Sequence, residues 1–506
     1  MKRIDNKNNL YKTASSLVVS GLILLGINAC QGENNNNFIS QNSRQNVTNP
    51  ALSLATQRPL SPKYMCFNVN SVRIESWRDT DLVKNVSLLN PRMLRLPGGE
   101  VANYWDWQRG GLIEDTSSLP GGLPQFLRYQ ARKNTASKLE DFKIGLEATG
   151  TSPLFVLNML TSDLKSQIQM LEKAEKIGIP VEYIELGNEF YFNIKNYNTV
   201  FPTPRSYAET ANQWITAIKQ KFPDVKTSVV GAIPIPQRSG RLQNWNKAIL
   251  GPVLQNAEAI TLHLYWENGL NSSSSTPFTE VEIPIVLGEP FRNWQTLQTD
   301  PNFQNIQNKK IWITEYNLRE TKPDNQNQEQ PKVAGTWAHG LYSAAMSMVF
   351  LEDSRVELIC NHLLAGHPHF AAVIDKKAPG IPRSFNLSAS GSALRLLGDA
   401  TEEMTSAQKI NFPEKYLLKG KNNFEYPSLY GWLFSNAKSQ KGIILNLSPQ
   451  PLKIDVTPLF TQPINYEQIS GNPLTSNVNN DLLMNNKGTV SGALSLPPYS
   501  ITKLSP

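Results

Sequence analysis

Val181-Glu182-Tyr183-Ile184-Glu185-Leu186-Gly187-Asn188-Glu189-Phe190 begins as an apolar β-run and breaks at a glycine, which leaves Glu189 where a strand gives way to a loop. A second run of the same kind, Lys310-Ile311-Trp312-Ile313-Thr314-Glu315-Tyr316, carries another glutamate at its end, 126 positions further on. One strand-end glutamate is an ordinary solvated terminus. Two in matching places suggest a paired-carboxylate site, the arrangement glycoside hydrolysis needs: one group protonates the leaving oxygen while the other attacks the sugar or activates water.

Outward from these two runs the same pattern repeats. Short β-branched or aromatic stretches occur at 64–69, 92–96, 154–158, 181–186, 227–231, 259–264, 310–314 and 356–361. Between them lie stretches with apolar residues at helical spacing, clearest at 164–177, 207–222 and 333–350. Eight strand–helix repeats predict an α/β fold, a (β/α)8 barrel, with Glu189 after its fourth strand and Glu315 after its seventh. The C-terminal strand ends of such a barrel form one face, so both carboxylates would open onto one pocket. A last barrel helix is expected over 388–398. Beyond it, short alternating runs punctuated by Pro, Asn and Gly predict an antiparallel β-sandwich to which residues 50–62 lend a strand. The expected division is 1–29 leader, 30–50 tether, 51–399 barrel and 400–506 sandwich.

The leader carries Lys2, Arg3, Lys7 and Lys12 ahead of the apolar run Leu17–Leu25 and then Ile27-Asn28-Ala29-Cys30. That apolar core is too short to cross ~30 Å of hydrocarbon, so it reads as an export signal. Its ending resembles a bacterial lipobox, which implies cleavage before Cys30, lipidation of that cysteine, and a protein anchored to the cell envelope. Residues 31–50, rich in Asn, Gln and Ser, are too poor in apolar side chains to fold and read as a disordered tether. Losing four basic residues and Asp5 with the leader lowers the net charge from +7 to +4, too little over this length to argue for nucleic acid. Apart from Cys30 only Cys66 and Cys360 remain, neither a disulfide framework nor a metal-ligand spacing. Closure of the barrel would pair strands one and eight and bring these two together; whether they bond stays open.

The motifs resemble a known group. Asn188-Glu189 after strand four and Glu315 after strand seven resemble the signatures of the retaining (β/α)8 glycoside hydrolases. Arg95-Leu96-Pro97-Gly98-Gly99 and Asn103-Tyr104-Trp105-Asp106-Trp107 are similar to segments of α-L-arabinofuranosidases and heparanase-like β-glucuronidases. The ending Leu496–Thr502 resembles the closing strand of the sandwich those enzymes carry. The resemblance implies Glu189 as acid/base, Glu315 as nucleophile, and Asn188 on the sugar hydroxyl beside the reacting carbon. It implies Arg95 as support for the nucleophile, although Glu185 competes for that guanidinium. It further implies Tyr265 as a donor to the nucleophile, and His263, Asn158, Asn103 and Trp266 lining the substrate. His263 could equally be a satisfied core histidine, and Trp105, Trp107 and Trp266 could be packing rather than sugar platforms. His362, His367 and His369 read as loop or pocket residues, not metal ligands.

The resulting expectation is a lipid-anchored retaining glycosidase of oligo- or polysaccharides that uses no cofactor and no metal. Its carboxyl groups should stand about 5–5.5 Å apart, with Glu315 ionised and Glu189 carrying the proton. The substrate would be an α-L-arabinofuranoside or a β-glucuronide. The alternative is a catalytically silent sugar-binding lipoprotein on the same scaffold, against which the retention of both glutamates argues.

Overall fold

Alternation of apolar residues along eight short runs is satisfied by a closed parallel barrel. Its strands are β1 (Met65–Asn68), β2 (Met93–Leu96), β3 (Ser152–Val156), β4 (Tyr183–Leu186), β5 (Lys226–Val230), β6 (Ala259–Glu267), β7 (Lys310–Arg319) and β8 (Val356–Asn361), each beside its neighbour in sequence. The computed structural model describes residues 52–130, 137–233, 240–251, 256–270, 277–306, 309–320, 332–376, 385–413, 417–476 and 482–506. The leader, the tether and Cys30 lie outside them. Among the described residues no helix is long and apolar enough to cross a membrane.

Closure is made by β8 against β1, with Cys360 opposite Cys66 in register. The two are joined in a disulfide, their Cα atoms 4.1 Å apart. Both belong to an apolar floor inside the barrel with Met93, Leu154, Tyr183, Ala259, Trp312 and Leu358. The rings of Tyr183 on β4 and Trp312 on β7 meet 5.4 Å apart across the interior. Below them Glu357 takes hydrogen bonds from Trp312 Nε1 at 2.9 Å and Lys226 Nζ at 2.7 Å, closing the N-terminal end. Two residues further along the same strands the inward positions turn polar: Asn68, Arg95, Glu185, Thr261 and Thr314, all essentially fully buried. A strand returns to the same face every second residue, so floor and polar layer are consecutive steps of one alternation.

The helices around the barrel include Leu164–Lys176, Pro204–Lys221, Trp337–Val349 and Ala389–Thr401. Trp337–Val349 is buried along its whole length. It lies between the barrel and an antiparallel sheet whose order is Ser53–Leu54, Ser406–Asn411, Leu429–Ser435, Gln440–Asn446, Ser500–Ser505, Ile464–Ser470 and Met484–Val490. Ser53–Leu54 and Arg58–Pro59 both pair with Ser406–Asn411, so the segment before the barrel does contribute to this sheet. Period-two alternation splits the sheet's side chains. Tyr430, Trp432, Phe434, Ile443 and Leu445 join the barrel's core, whereas Leu429, Leu433 and Ile444 face a second core with Ile454, Leu494 and Leu496 from the small sheet Leu452–Asp455/Ala493–Leu496. The result is a barrel followed by a β-sandwich that shares its core.

Candidate active site

The Gly-Asn-Glu segment is built by its glycine. Gly187 has φ +88°, and a Cβ there would lie 2.1 Å from the Phe190 ring. Phe190 is fixed in turn by ring contacts with Tyr197, Phe201 and Tyr207. The Tyr207 hydroxyl donates to Leu186 O and accepts from Val230 N, both at 2.8 Å, tying β4 to β5 where the loop begins. Glu189 then sits at φ +54°, in the left-handed region that a non-glycine residue occupies at a cost of about 1 kcal/mol or more. Its carboxylate is thereby held over the barrel mouth instead of continuing the strand.

Glu315 arrives by another device. On β7 Trp312 and Thr314 face inward, so strict alternation would turn Glu315 outward. The register against β6 slips by one residue, pairing Leu262 with Ile313 but His263 with Glu315. Such irregularities re-aim side chains. Here two consecutive residues, Thr314 and Glu315, face the interior, and Tyr316 turns out to bond Ser347 at 2.6 Å.

Arg95, fully buried on β2, organises the cluster. Its Nε and Nη2 donate to Glu185 at 2.7 and 3.1 Å, its Nη1 to Glu315 Oε1 at 2.7 Å and Asn68 Oδ1 at 3.0 Å, and its Nη2 also to Asn188 Oδ1 at 2.9 Å. All five guanidinium N–H groups are thus used. The competition between Glu185 and Glu315 for Arg95 resolves as a bridge between them. Glu315 Oε2 accepts from the Tyr265 hydroxyl at 2.6 Å, and Oε1 from Asn68 Nδ2 at 3.3 Å. Burial opposes ionisation of Glu315, but His263, His362, Arg95 and the Tyr265 hydroxyl outweigh it and hold the carboxyl well below the ordinary range. Burial also pushes the Tyr265 phenol well up, so it stays a donor.

Glu189 Oε1 is met by His263 Nδ1 at 2.8 Å and accepts from the Tyr191 hydroxyl at 2.9 Å. On the far side of the imidazole, Nε2 lies 3.1 Å from Thr314 Oγ1, whose own proton goes to Glu185 at 3.2 Å. Thr314 is therefore the acceptor and His263 Nε2 carries a hydrogen. Burial lowers the affinity of His263 for a proton, but Glu315 and Glu189 raise it further, for a net upward shift. One oxygen of Glu189, the ring nitrogen of His263 and one oxygen of Glu315 lie within 4.8 Å of one another. That spacing would admit a cation, yet the Arg95 guanidinium bonded to Glu315 and the His263 imidazole, whose affinity for a proton is raised, already place positive charge there. Acid, base and nucleophile chemistry fits the donor set directly.

The other expected residues divide. Asn188 lies in the cluster, with Nδ2 buried and unpartnered among the described residues. Asn103 sits behind it, donating to Asn188 O at 2.9 Å. Asn158 corrects its expectation. Its amide donates to Trp105 O and Thr161 Oγ1 and its carbonyl accepts from Leu160 N and Thr161 N, so its polar atoms are spent on shaping a loop. Trp266 is also reassigned: it is out of phase with His263 and Tyr265 on β6 and packs edge-on against Phe350 in the core. Trp105 stacks on Phe142 and donates to Ser137 O, and Trp107 donates to Ser166 Oγ, so these rings pack rather than stand free. Motif reading missed Asn68, Thr314, Tyr191, Tyr197 and Glu100. Asn68 could have been found, since it follows Cys66 on β1 by the step that leads from Met93 to Arg95 on β2.

No protein-family model and no curated protein matches the sequence. Solved structures do match its fold. A family 51 α-L-arabinofuranosidase from Bifidobacterium longum aligns with TM-score 0.68 at 14% identity, over 90% of this chain and 100% of that one. A GH51 arabinofuranosidase from Xanthomonas axonopodis pv. citri aligns with TM-score 0.66 at 13% identity, over 90% and 99%. A 4-O-α-L-rhamnosyl-β-D-glucuronidase from Fusarium oxysporum aligns with TM-score 0.59 at 10% identity, over 90% and 99%. The barrel-plus-sandwich architecture is that of these glycoside hydrolases.

Proposed function

We propose that the protein is a retaining glycoside hydrolase of arabinofuranosides or glucuronides working by double displacement. The observation that carries this reading is the approach of the Glu189 and Glu315 carboxylates to within 4.8 Å. Direct attack on the anomeric carbon needs about 5–5.5 Å between carboxyl groups, whereas an intervening water needs ~6.5–9.5 Å. Glu315, held ionised by Arg95 and Tyr265, attacks the anomeric carbon. Glu189 gives its proton to the departing oxygen as that bond breaks, and then takes one from the water that releases the sugar. In this reading Asn188 donates to the neighbouring sugar hydroxyl, a bond that strengthens as positive charge develops on the ring. The structural neighbours, named as arabinofuranosidases and a glucuronidase, support the same chemistry and substrate classes.

The test is a panel of aryl arabinofuranosides, glucuronides, xylosides and glucosides, with proton NMR following the first-formed anomer. Turnover with retained configuration is expected. Inverted product would contradict the double displacement, and silence across the panel would favour a sugar-binding protein. The proposal extends to location: Leu17–Leu25 followed by Ile27-Asn28-Ala29-Cys30 supports export and lipid anchoring to the bacterial cell envelope. Labelled palmitate should enter the native chain and not Cys30→Ala; labelling of both would remove Cys30 from that role.

A further inference from the structure

The eighth strand brings one more polar side chain to the nucleophile. Leu358 and Cys360 face the barrel floor, so the next inward step on β8 is His362, just as Asn68 is the step after Cys66 on β1. His362 N donates to Tyr316 O at 3.1 Å, which keeps the chain beside β7 at that step. The imidazole packs edge-on against Phe370 and Tyr265, with ring centres 5.2 and 6.1 Å away, and its Nδ1 lies 3.7 Å from Glu315 Oε2. Oε1 of that carboxylate takes bonds from Arg95 and Asn68, whereas Oε2 takes a single bond among the described residues, from the Tyr265 hydroxyl. Oε2 is thus the oxygen better placed to attack, and His362 stands beside it.

Bonding geometry places the ring hydrogen of His362. Arg95 Nη1 can only donate, so the Asn68 atom facing it at 3.0 Å is Oδ1 and the other amide atom is Nδ2. Nδ2 gives one hydrogen to Glu315 Oε1 and the other to His362 Nδ1, which is therefore an acceptor. The ring hydrogen sits on Nε2. Burial, together with Arg95 and His263, lowers the affinity of this imidazole for a second proton more than Glu315 and Glu189 raise it, so the ring is neutral near pH 7. Nε2 has no partner among the described residues and is not shut away from solvent; the side chain as a whole is 20% exposed. In the closed order of eight strands β8 stands opposite β4, so His362 and the Asn188-Glu189 turn face each other across the barrel mouth.

We infer that His362 donates from Nε2 to a hydroxyl of the glycone bound against Glu315, on the edge of the sugar away from Asn188. This rests on the glycosidase reading above and adds to it a residue that selects the sugar. An anomeric carbon within attacking distance of Oε2, about 3–3.5 Å, brings its ring against the imidazole. Asn188 takes the hydroxyl beside the reacting carbon in that reading, which leaves a more distant hydroxyl to His362. The position of that hydroxyl on the ring is then what His362 reads.

The experiment compares kcat/KM of the native full chain and H362F, which keeps a ring for Phe370 and Tyr265 and loses both nitrogens. The substrates are 4-nitrophenyl α-L-arabinofuranoside and its 3-deoxy and 5-deoxy analogues or, where the panel above favours the β-D-glucuronide, that compound and its 3-deoxy and 4-deoxy analogues. H362F should lose roughly three- to tenfold on the complete sugar, the size of one neutral hydrogen bond. On one of the two deoxy analogues native and H362F should be equal within about twofold, because the bond is already gone. An equal loss on all three substrates would make His362 a support for Glu315 and overturn the sugar contact, as would no loss at all. Nitrogen-15 NMR of the native chain labelled at histidine, near pH 7.5, gives a readout without substrate: the signals absent from H362F should show hydrogen on Nε2 and none on Nδ1. Hydrogen on Nδ1 in a protein that turns substrate over would overturn the His362 assignment alone. Silence on the whole panel would overturn the glycosidase reading and the sugar contact with it, whatever the tautomer.

Discussion

The floor of the barrel and the polar layer above it are built from the same strands, two residues apart, yet they are held by different physics. Cys66, Met93, Leu154, Trp312 and Leu358 are removed from water and need only fit one another. Asn68, Arg95, Glu185 and Thr314 are just as buried and carry charge or polarity that would be costly without partners. Their answer is full pairing: Arg95 uses five of five donors, and Thr314 passes a bond from His263 to Glu185. A change in the floor should therefore cost stability and spare chemistry, whereas a change in the polar layer should strike chemistry first.

The largest expected effect is at Glu315. Glu315→Ala removes the proposed nucleophile and should cut kcat on the order of 10⁴-fold or more. Arg95 keeps Glu185, so the melting temperature should move little by comparison. A Glu315→Ala protein that hydrolysed normally would erase the distinction between the layers. Next is Arg95→Met, which strands buried Glu185 without its cation. It should cost about 3–5 kcal/mol in denaturant unfolding as well as activity.

In the floor, Cys66→Ser with Cys360→Ser opens a bridge that closes 294 residues of chain. It should cost roughly 2–5 kcal/mol. kcat/KM should remain within about twofold at temperatures where the double variant stays folded. A loss of activity matching that of Glu315→Ala would show that the floor positions the site rather than merely supporting it.

The smallest effect is in pH dependence. The folded pKa of Glu315 lies below its ordinary value near 4.5, so the stability it contributes is complete above that value and is lost as pH falls through the lower folded one. The melting difference between native and Glu315→Gln should be constant from about pH 8 to 5 and shrink below about pH 4. A difference that shrank instead toward alkaline pH would mean that Glu315 is neutral in the folded protein.

The two layers also differ in how far the sequence discloses them. Strand positions follow from alternation, and all eight runs start within two residues of an observed strand, although the sixth and seventh strands run three and five residues further than expected, because burial on both sides of a barrel strand leaves few other places for those side chains. Glu189 and Glu315 were legible as strand-end glutamates next to a glycine or a β-run. The slip that turns Glu315 inward was not, since it depends on how β7 pairs with β6 and not on β7 alone. Trp266 was readable and misread: the step that points His263 and Tyr265 inward points it out. Glu100 and Tyr197 carried no pattern at all, because their meeting depends on how two short helices, Gly99–Ala102 and Lys195–Val200, pack against each other.

The central claim is that Glu315 is the nucleophile and Glu189 its proton donor. The most direct measurement is mass spectrometry of Glu189→Ala incubated with an aryl arabinofuranoside bearing an activated leaving group. Glycosylation should then proceed without acid help and release should stall. An adduct of one sugar on the peptide containing Glu315, discharged by azide as a glycosyl azide of retained configuration, is the result this account predicts. An adduct on any other residue, or a first-formed product of inverted configuration from the native enzyme, would contradict it.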